Sequence, residues 1–208
     1  LAQLATLDLS HNKLVVLKAN AFVGATGLNS LIITRNFIEE IAPGSFADLQ
    51  QLSFLDLSFN NLEDLDSNMF KGLNQLQSLK LNGVSSQGRT TIKAGAFSSL
   101  PSLASIYLRQ NHFKLLEGGA FSKLDNLKQV YFDGTTVTAI ESFAFQDIGH
   151  ITNLNLSGLL IKHLEPNAFS LMRSLITLDL SNNTFTKIEG TYFNNLPELR
   201  TVYLRNIQ

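Results

Sequence analysis

The sequence has no cysteine and no tryptophan, and only two methionines and four prolines among 208 residues. Without cysteine there is no disulfide, no thiol nucleophile and no cysteine metal site. Charged residues make up 16% and the formal net charge is −1. No excess of positive charge is available to track a phosphate backbone, so a nucleic-acid partner is not expected. No run approaches the ~18 apolar residues that span a bilayer, so this segment is not expected to insert into a membrane. The opening residues Leu1-Ala2-Gln3-Leu4 carry no basic stretch before an apolar one, and no signal peptide is read in them. The chain is instead apolar, at 44% hydrophobic, which suits a large core and argues against disorder.

That apolar content is periodic. Leu4, Leu28, Leu52 and Leu76 open units of 24 residues, and after a longer fourth unit the register resumes at Leu103, Leu127, Ile151, Leu175 and Leu199. Each unit approximates L-x-x-L-x-L-x-x-N-x-L-x-x-L-x-x-x-x-F-x-x-L, a fixed-period repeat of the kind that builds a solenoid. One domain of eight complete repeats is predicted (4–27, 28–51, 52–75, 76–102, 103–126, 127–150, 151–174, 175–198), with a truncated ninth at 199–208. The L-x-L core of each unit alternates inward and outward side chains, as a short strand does. Stacked in parallel at about 4.8 Å, nine such strands predict one sheet on the order of 40 Å long. No unit can bury its own leucines, so stability has to come from neighbours.

Two ladders run through the repeat. Asn12, Asn36, Asn60, Asn111 and Asn183 share one site after the strand, where an amide can satisfy turn backbone groups that point inward. Phe22, Phe46, Phe70, Phe97, Phe121, Phe145, Phe169 and Phe193 form a packing spine and account for over half of the fifteen phenylalanines. The asparagine ladder lapses at Val84, Thr135 and Leu159. Thr can make part of the hydrogen bonding and Leu none, so looser turns and a change of curvature are expected in units six and seven.

The units resemble the 24-residue "typical" leucine-rich repeats of animal extracellular proteins, such as Toll-like receptors, lamprey variable lymphocyte receptors and Slit-type guidance proteins. The resemblance implies an α/β solenoid, a curved horseshoe with a parallel sheet on its concave face and an irregular or short 3-10 convex side. It also implies a non-catalytic, extracellular or cell-surface role in recognition, as in immunity, adhesion or guidance. Such arrays usually end in cysteine-bearing caps, which are absent here, so a piece of a longer array is expected.

Residues that look chemical are mostly repeat background. Asp8-Leu9-Ser10-His11 has the residue types of a hydrolase triad, yet the frame recurs at Asp56-Leu57-Ser58 and Asp179-Leu180-Ser181 without a histidine. The four histidines fall in different units and phases, so no metal cluster is expected, and nothing calls for a cofactor. Two glycosylation sequons occur, at Asn155 and Asn182. With 19 Asn and 33 Ser plus Thr, about three are expected by chance, so they carry no weight for secretion.

Function has to be argued from a site, because this fold hosts many partners. Where the outward face is background it reads Asp then Ser. It departs at Ile32 and Arg35, at Phe54 and Phe59, at Lys80, and at Tyr107, Arg109, Tyr131 and Asp133. Tyr107 and Tyr131 hold the same place in adjacent units, and Tyr and Arg are the residues enriched at binding hot spots. These residues are predicted to bind a protein on the concave face. The polar stretch 82–91, which lengthens unit four, is either a tolerated insertion or a loop bringing Arg89 to a ligand. A structural role, self-assembly into homo-oligomers or packing against other domains, is the alternative.

Overall fold

A computed structural model describes residues 1–146, 148 and 150–207 of the chain; Gln208, the end of the truncated ninth unit, lies outside them. Each unit contributes one three-residue strand to the concave face. These are β1 (Thr6–Asp8), β3 (Ser30–Ile32), β5 (Phe54–Asp56), β6 (Ser78–Lys80), β8 (Ser105–Tyr107), β10 (Gln129–Tyr131), β12 (Asn153–Asn155), β14 (Thr177–Asp179) and β15 (Thr201–Tyr203). Hydrogen-bonded neighbours run parallel and in register, so equivalent residues of successive units stand side by side. The middle residue of each strand points inward. Leu31, Leu55, Leu79 and Ile106 are fully buried, each adding about 1.5–3 kcal/mol of hydrophobic stabilisation.

A second run of short strands, which the repeat pattern did not predict, follows the turn. It comprises β2 (Val16–Leu17), β4 (Glu40–Ile41), β7 (Thr90–Ile92), β9 (His112–Leu116), β11 (Thr136–Ile140) and β13 (His163–Leu164). β2 pairs with β4, and β7, β9, β11 and β13 form a four-stranded parallel sheet. Regular helix is almost absent, with one 3-10 turn at Gly190–Phe193.

The asparagine ladder behaves as its chemistry requires. The Nδ2 of Asn60 donates to the carbonyls of Ile33 (2.9 Å) and Leu57 (2.8 Å), while its Oδ1 accepts from the N–H of Ile38 (3.0 Å). Asn36, Asn111 and Asn183 repeat the arrangement. Each amide thus joins its own unit to the one before. The spine also forms: Phe97, Phe121, Phe145 and Phe169 are fully buried, with successive ring centroids 5.1–5.7 Å apart. It does not reach Phe193, which is only partly buried. Tyr192 takes the interior place in that unit, at 2% exposure.

The concave sheet is not the single nine-stranded sheet that stacking predicts. It divides into β1-β3-β5-β6-β8-β10 and β12-β14-β15. Among the described residues, no main-chain hydrogen bond joins β10 to β12. The lapses at Thr135 and Leu159 flank this break, and a third substitution adds to it. Phe132 stands where the other units place Leu or Ile, and its ring packs edge-on against Phe121 and Phe145 at 6.2 and 6.4 Å. Bulk in a close-packed interior has to be met by displacement, and here the strands part.

The turns behind the break are closed. Thr135 Oγ1 donates to the Leu108 carbonyl at 2.6 Å and accepts from the Asn111 N–H. Opposite Leu159, the N–H of Val137 donates to the Leu159 carbonyl at 2.8 Å in place of the missing amide. The loosening expected of the turns falls instead on the strands.

Candidate ligand-binding face

Register turns the concave face into columns. The second outward residue of each strand forms the column Asp8, Ile32, Asp56, Lys80, Tyr107, Tyr131. Phe54 lies one column before it, and Arg109 and Asp133 one column after. The Asp-x-Ser background has a local cause. The Oδ1 atoms of Asp8, Asp56 and Asp179 accept from the N–H of the serine two residues on, at 2.8–3.0 Å, closing the turn out of the strand. Hydrogen bonds from Ser10, its hydroxyl first and its N–H second, hold the Asp8 carboxyl below its ordinary range. Ser10 Oγ accepts from Thr34, so Asp8, Ser10 and His11 are parts of a turn and a cross-unit contact.

Where the column departs from this background, the side chains meet. The rings of Tyr107 and Tyr131 stack at 4.6 Å between centroids with 13° between planes. The Arg109 guanidinium lies 5.6 Å from the Tyr107 centroid and 4.7 Å from that of Tyr131, and its Nε donates to Asp133 Oδ2 at 2.7 Å. Lys80 continues the strip, 5.7 Å from the Tyr107 ring and 5.1 Å from Phe54, with Asp56 3.9 Å away. Phe54, Lys80, Tyr107, Arg109, Tyr131 and Asp133 are therefore one connected surface across units three to six. Cations over aromatic faces contribute about 0.5–1 kcal/mol at exposed sites, so the strip is held in shape before anything binds. Ile32 is half-buried on the same column, beside Asp56.

Arg35 and Phe59 are not strand residues. They belong to a further column, His11, Arg35, Phe59, Gly83, Gln110, Gly134, Gly158, Asn182, Asn206, and every member has φ between +52° and +70°. This left-handed column was missed from sequence, although its glycines and asparagines signal it. Outside Gly and Asn the conformation costs roughly 1–2 kcal/mol, so Arg35 and Phe59 hold their places against strain. The Arg35 guanidinium sits 4.6 Å from the Phe59 centroid, and the Phe59 ring covers Gly83, where a Cβ would lie 2.8 Å from its Cδ1. They form a second patch at the rim of the concave face.

Arg89 does not join either group. It is exposed on the flank, in a pocket it lines with Glu39, Asn61, Glu63 and Asp64, and the strand residues of the concave face take no part there. The loop that carries it is tied at both ends, Ser85 Oγ donating to the His112 carbonyl and the Thr91 N–H to Asp64 Oδ1. Asn155 and Asn182 are both exposed. Asn155 Oδ1 accepts from Ser157 N–H and Oγ, and Asn182 Oδ1 accepts from Asn206. Among the described residues, no three His, Asp or Glu side chains are grouped to hold a metal, and no helix is long and apolar enough to cross a membrane.

A parallel-strand solenoid, an amide ladder and a patterned concave face define a leucine-rich-repeat protein. The chain belongs to that family: a BspA-type leucine rich repeat region matches residues 90–208 in six copies, and a leucine rich repeat model matches residues 26–83. None of the curated proteins matches it. Among solved structures it is similar to the TLR13 chain of a TLR13-ssRNA13 complex, with 23% identity and a TM-score of 0.74 over 98% of this chain and 29% of that one. The chain therefore spans less than a third of that receptor chain. It is also similar to internalin C2 of Listeria monocytogenes (18% identity, TM-score 0.64, 96% of this chain and 80% of that one). Human 5T4, the trophoblast glycoprotein, gives 27% identity and a TM-score of 0.65 over 88% of this chain and 71% of that one.

Proposed function

We propose that this chain is the recognition segment of a cell-surface or secreted leucine-rich-repeat protein, which binds a protein ligand on its concave face without catalysis. The observation that carries the reading is the stacked Tyr107–Tyr131 pair with Arg109 across both rings. Rigid amphipathic rings and an arginine held over them are the chemistry of interface anchors. As mere sheet stabilisation, a cross-strand pair contributes only about 0.2–1 kcal/mol. The repeat background at this column is aspartate closing a turn, which Tyr cannot do, so the tyrosines forgo a local hydrogen bond. A net charge of −1 favours a protein over a nucleic acid, although one neighbour of similar fold is described in complex with single-stranded RNA. Similarity to the TLR13 and trophoblast-glycoprotein chains supports a receptor or adhesion role, and of the two exposed sequon asparagines Asn182 is the proposed glycan acceptor, since Asn155 lines a cleft of the concave face.

The test is capture of partners from solubilised cell-surface proteins by the wild type and by the Tyr107→Ala, Tyr131→Ala double variant. The variant loses the partner while its melting temperature falls by no more than a few degrees. Undiminished capture refutes the reading.

A further inference from the structure

The break between β10 and β12 has the form of a binding slot. The direction of the printed bonds fixes which main-chain groups face it. Gln129 N–H donates to the Ala104 carbonyl and the Tyr131 carbonyl accepts from Leu108, so these two residues are engaged with unit five. Alternation along a strand then turns the Lys128 carbonyl, both main-chain groups of Val130 and the Phe132 N–H toward unit seven, while the Lys128 N–H donates to Ala104 and the Phe132 carbonyl accepts from Thr135. Leu156 N–H likewise donates to the Asp179 carbonyl of unit eight, which turns Asn153 and Asn155 toward unit six. Two strand edges therefore face one another, and no hydrogen bond joins them.

The two edges stand further apart than paired strands do. Hydrogen-bonded neighbours in this sheet keep their Cα atoms within 8 Å along their length, and β10 and β12 do not. An inserted strand needs two strand spacings, on the order of 9.6 Å. A cleft of about 630 Å³ opens here on the concave side, lined by both strands. Its floor includes Val130, which is only partly buried, whereas Leu31, Leu55, Leu79, Ile106, Leu154 and Leu178 at the same position are 0–2% exposed. The opening is held from behind. Phe132 is wedged against Phe121 and Phe145, β11 pairs with β13, and Val137 bonds to Leu159.

We propose that this slot takes one extended polypeptide segment of a partner protein, which completes the concave sheet by main-chain pairing with β10 and β12. Unpaired strand edges are templates for such strand addition. Val130 calls for an apolar residue pointing inward, and the polar rim of Gln129, Asn153 and Asn155 for polar residues pointing out. The proposal rests on the concave face being a protein-binding surface, but uses backbone groups where Tyr107 and Arg109 use side chains.

The probe is a synthetic octapeptide with the sequence of residues 175–182, which has the required alternation. Amide exchange is read by NMR on the whole chain. In the free protein the amides of Val130, Phe132 and Asn155 exchange at least 100-fold faster than those of Ile106, Leu108 and Leu156, and the peptide slows them at least 10-fold. Leu159→Asn restores the ladder amide, draws unit seven onto unit six and weakens peptide binding at least 10-fold. Asn153→Pro, which deletes an edge N–H, weakens it more than Asn153→Ala.

The proposal is overturned if those amides are already protected in the free chain, or if millimolar peptide leaves them unprotected. It is overturned too if their protection rises with protein concentration as dimers form, because a second copy then fills the slot. Loss of partner capture in the double tyrosine variant is a separate readout, so either reading can fail alone.

Discussion

Removing one rung of the asparagine ladder should be far more damaging than removing an exposed asparagine of the same array. Asn60 is 2% exposed and holds two carbonyls and one N–H across two units. Asn60→Ala strands all three in the interior. Each buried group left without a partner costs about 1–3 kcal/mol, and a water admitted to the vacated space recovers part of the sum. A loss of about 3–5 kcal/mol is expected, which in a chain of this length lowers the melting temperature by roughly 10 °C. Asn126 is the control. It is exposed, and its Nδ2 makes one bond, to the Pro101 carbonyl at 2.8 Å. Asn126→Ala should cost under about 1 kcal/mol, since water can replace that bond. Urea denaturation followed by circular dichroism measures both. Equal losses for the two variants would refute the account of the ladder as a clamp between units.

Two further outcomes follow from packing and backbone geometry. Phe121→Ala removes a fully buried ring that touches Phe97, Phe132 and Phe145, and should cost about 3–5 kcal/mol by the same denaturation assay. Gly83→Ala and Gly158→Ala both put a Cβ on a left-handed residue, but only the first drives it into the Phe59 ring, while nothing lies within 4 Å of the second. Gly158→Ala should therefore cost about 1 kcal/mol and Gly83→Ala measurably more, with the excess removed by adding Phe59→Ala. A double-mutant cycle by thermal melting that shows no coupling between positions 59 and 83 would contradict this.

The repeat is legible in the sequence because each leucine, asparagine and phenylalanine does one physical job at one place, and the job recurs. Register then makes a sequence column a spatial one, which is why Tyr107 and Tyr131 could be paired without a structure. The break was half visible. Thr135 and Leu159 stood out as lapses of the amide, while Phe132 kept the apolar pattern and hid its excess bulk. Arg35 and Phe59 face outward without being strand residues, one position beyond the alternating set that ends at Thr34 and Ser58. The chain leaves the strand through an Asx turn, and the next residue is left-handed. The second run of short strands escaped notice because two to five residues of mixed burial have no period of their own.

The missing pairing between units six and seven also bears on how the chain folds. In a linear array each unit is stabilised by its neighbours, so cooperativity passes from junction to junction and is limited by the weakest one. Here that junction keeps the phenylalanine spine and the β11–β13 contact but forgoes the sheet bonds that the other junctions have. Units seven to nine are thus coupled to units one to six through the turns and the spine alone, and their melting should be less tightly tied across this junction than across the others. Opening at their boundary exposes the interior at Val130, beside the tyrosines on which recognition is proposed to rest.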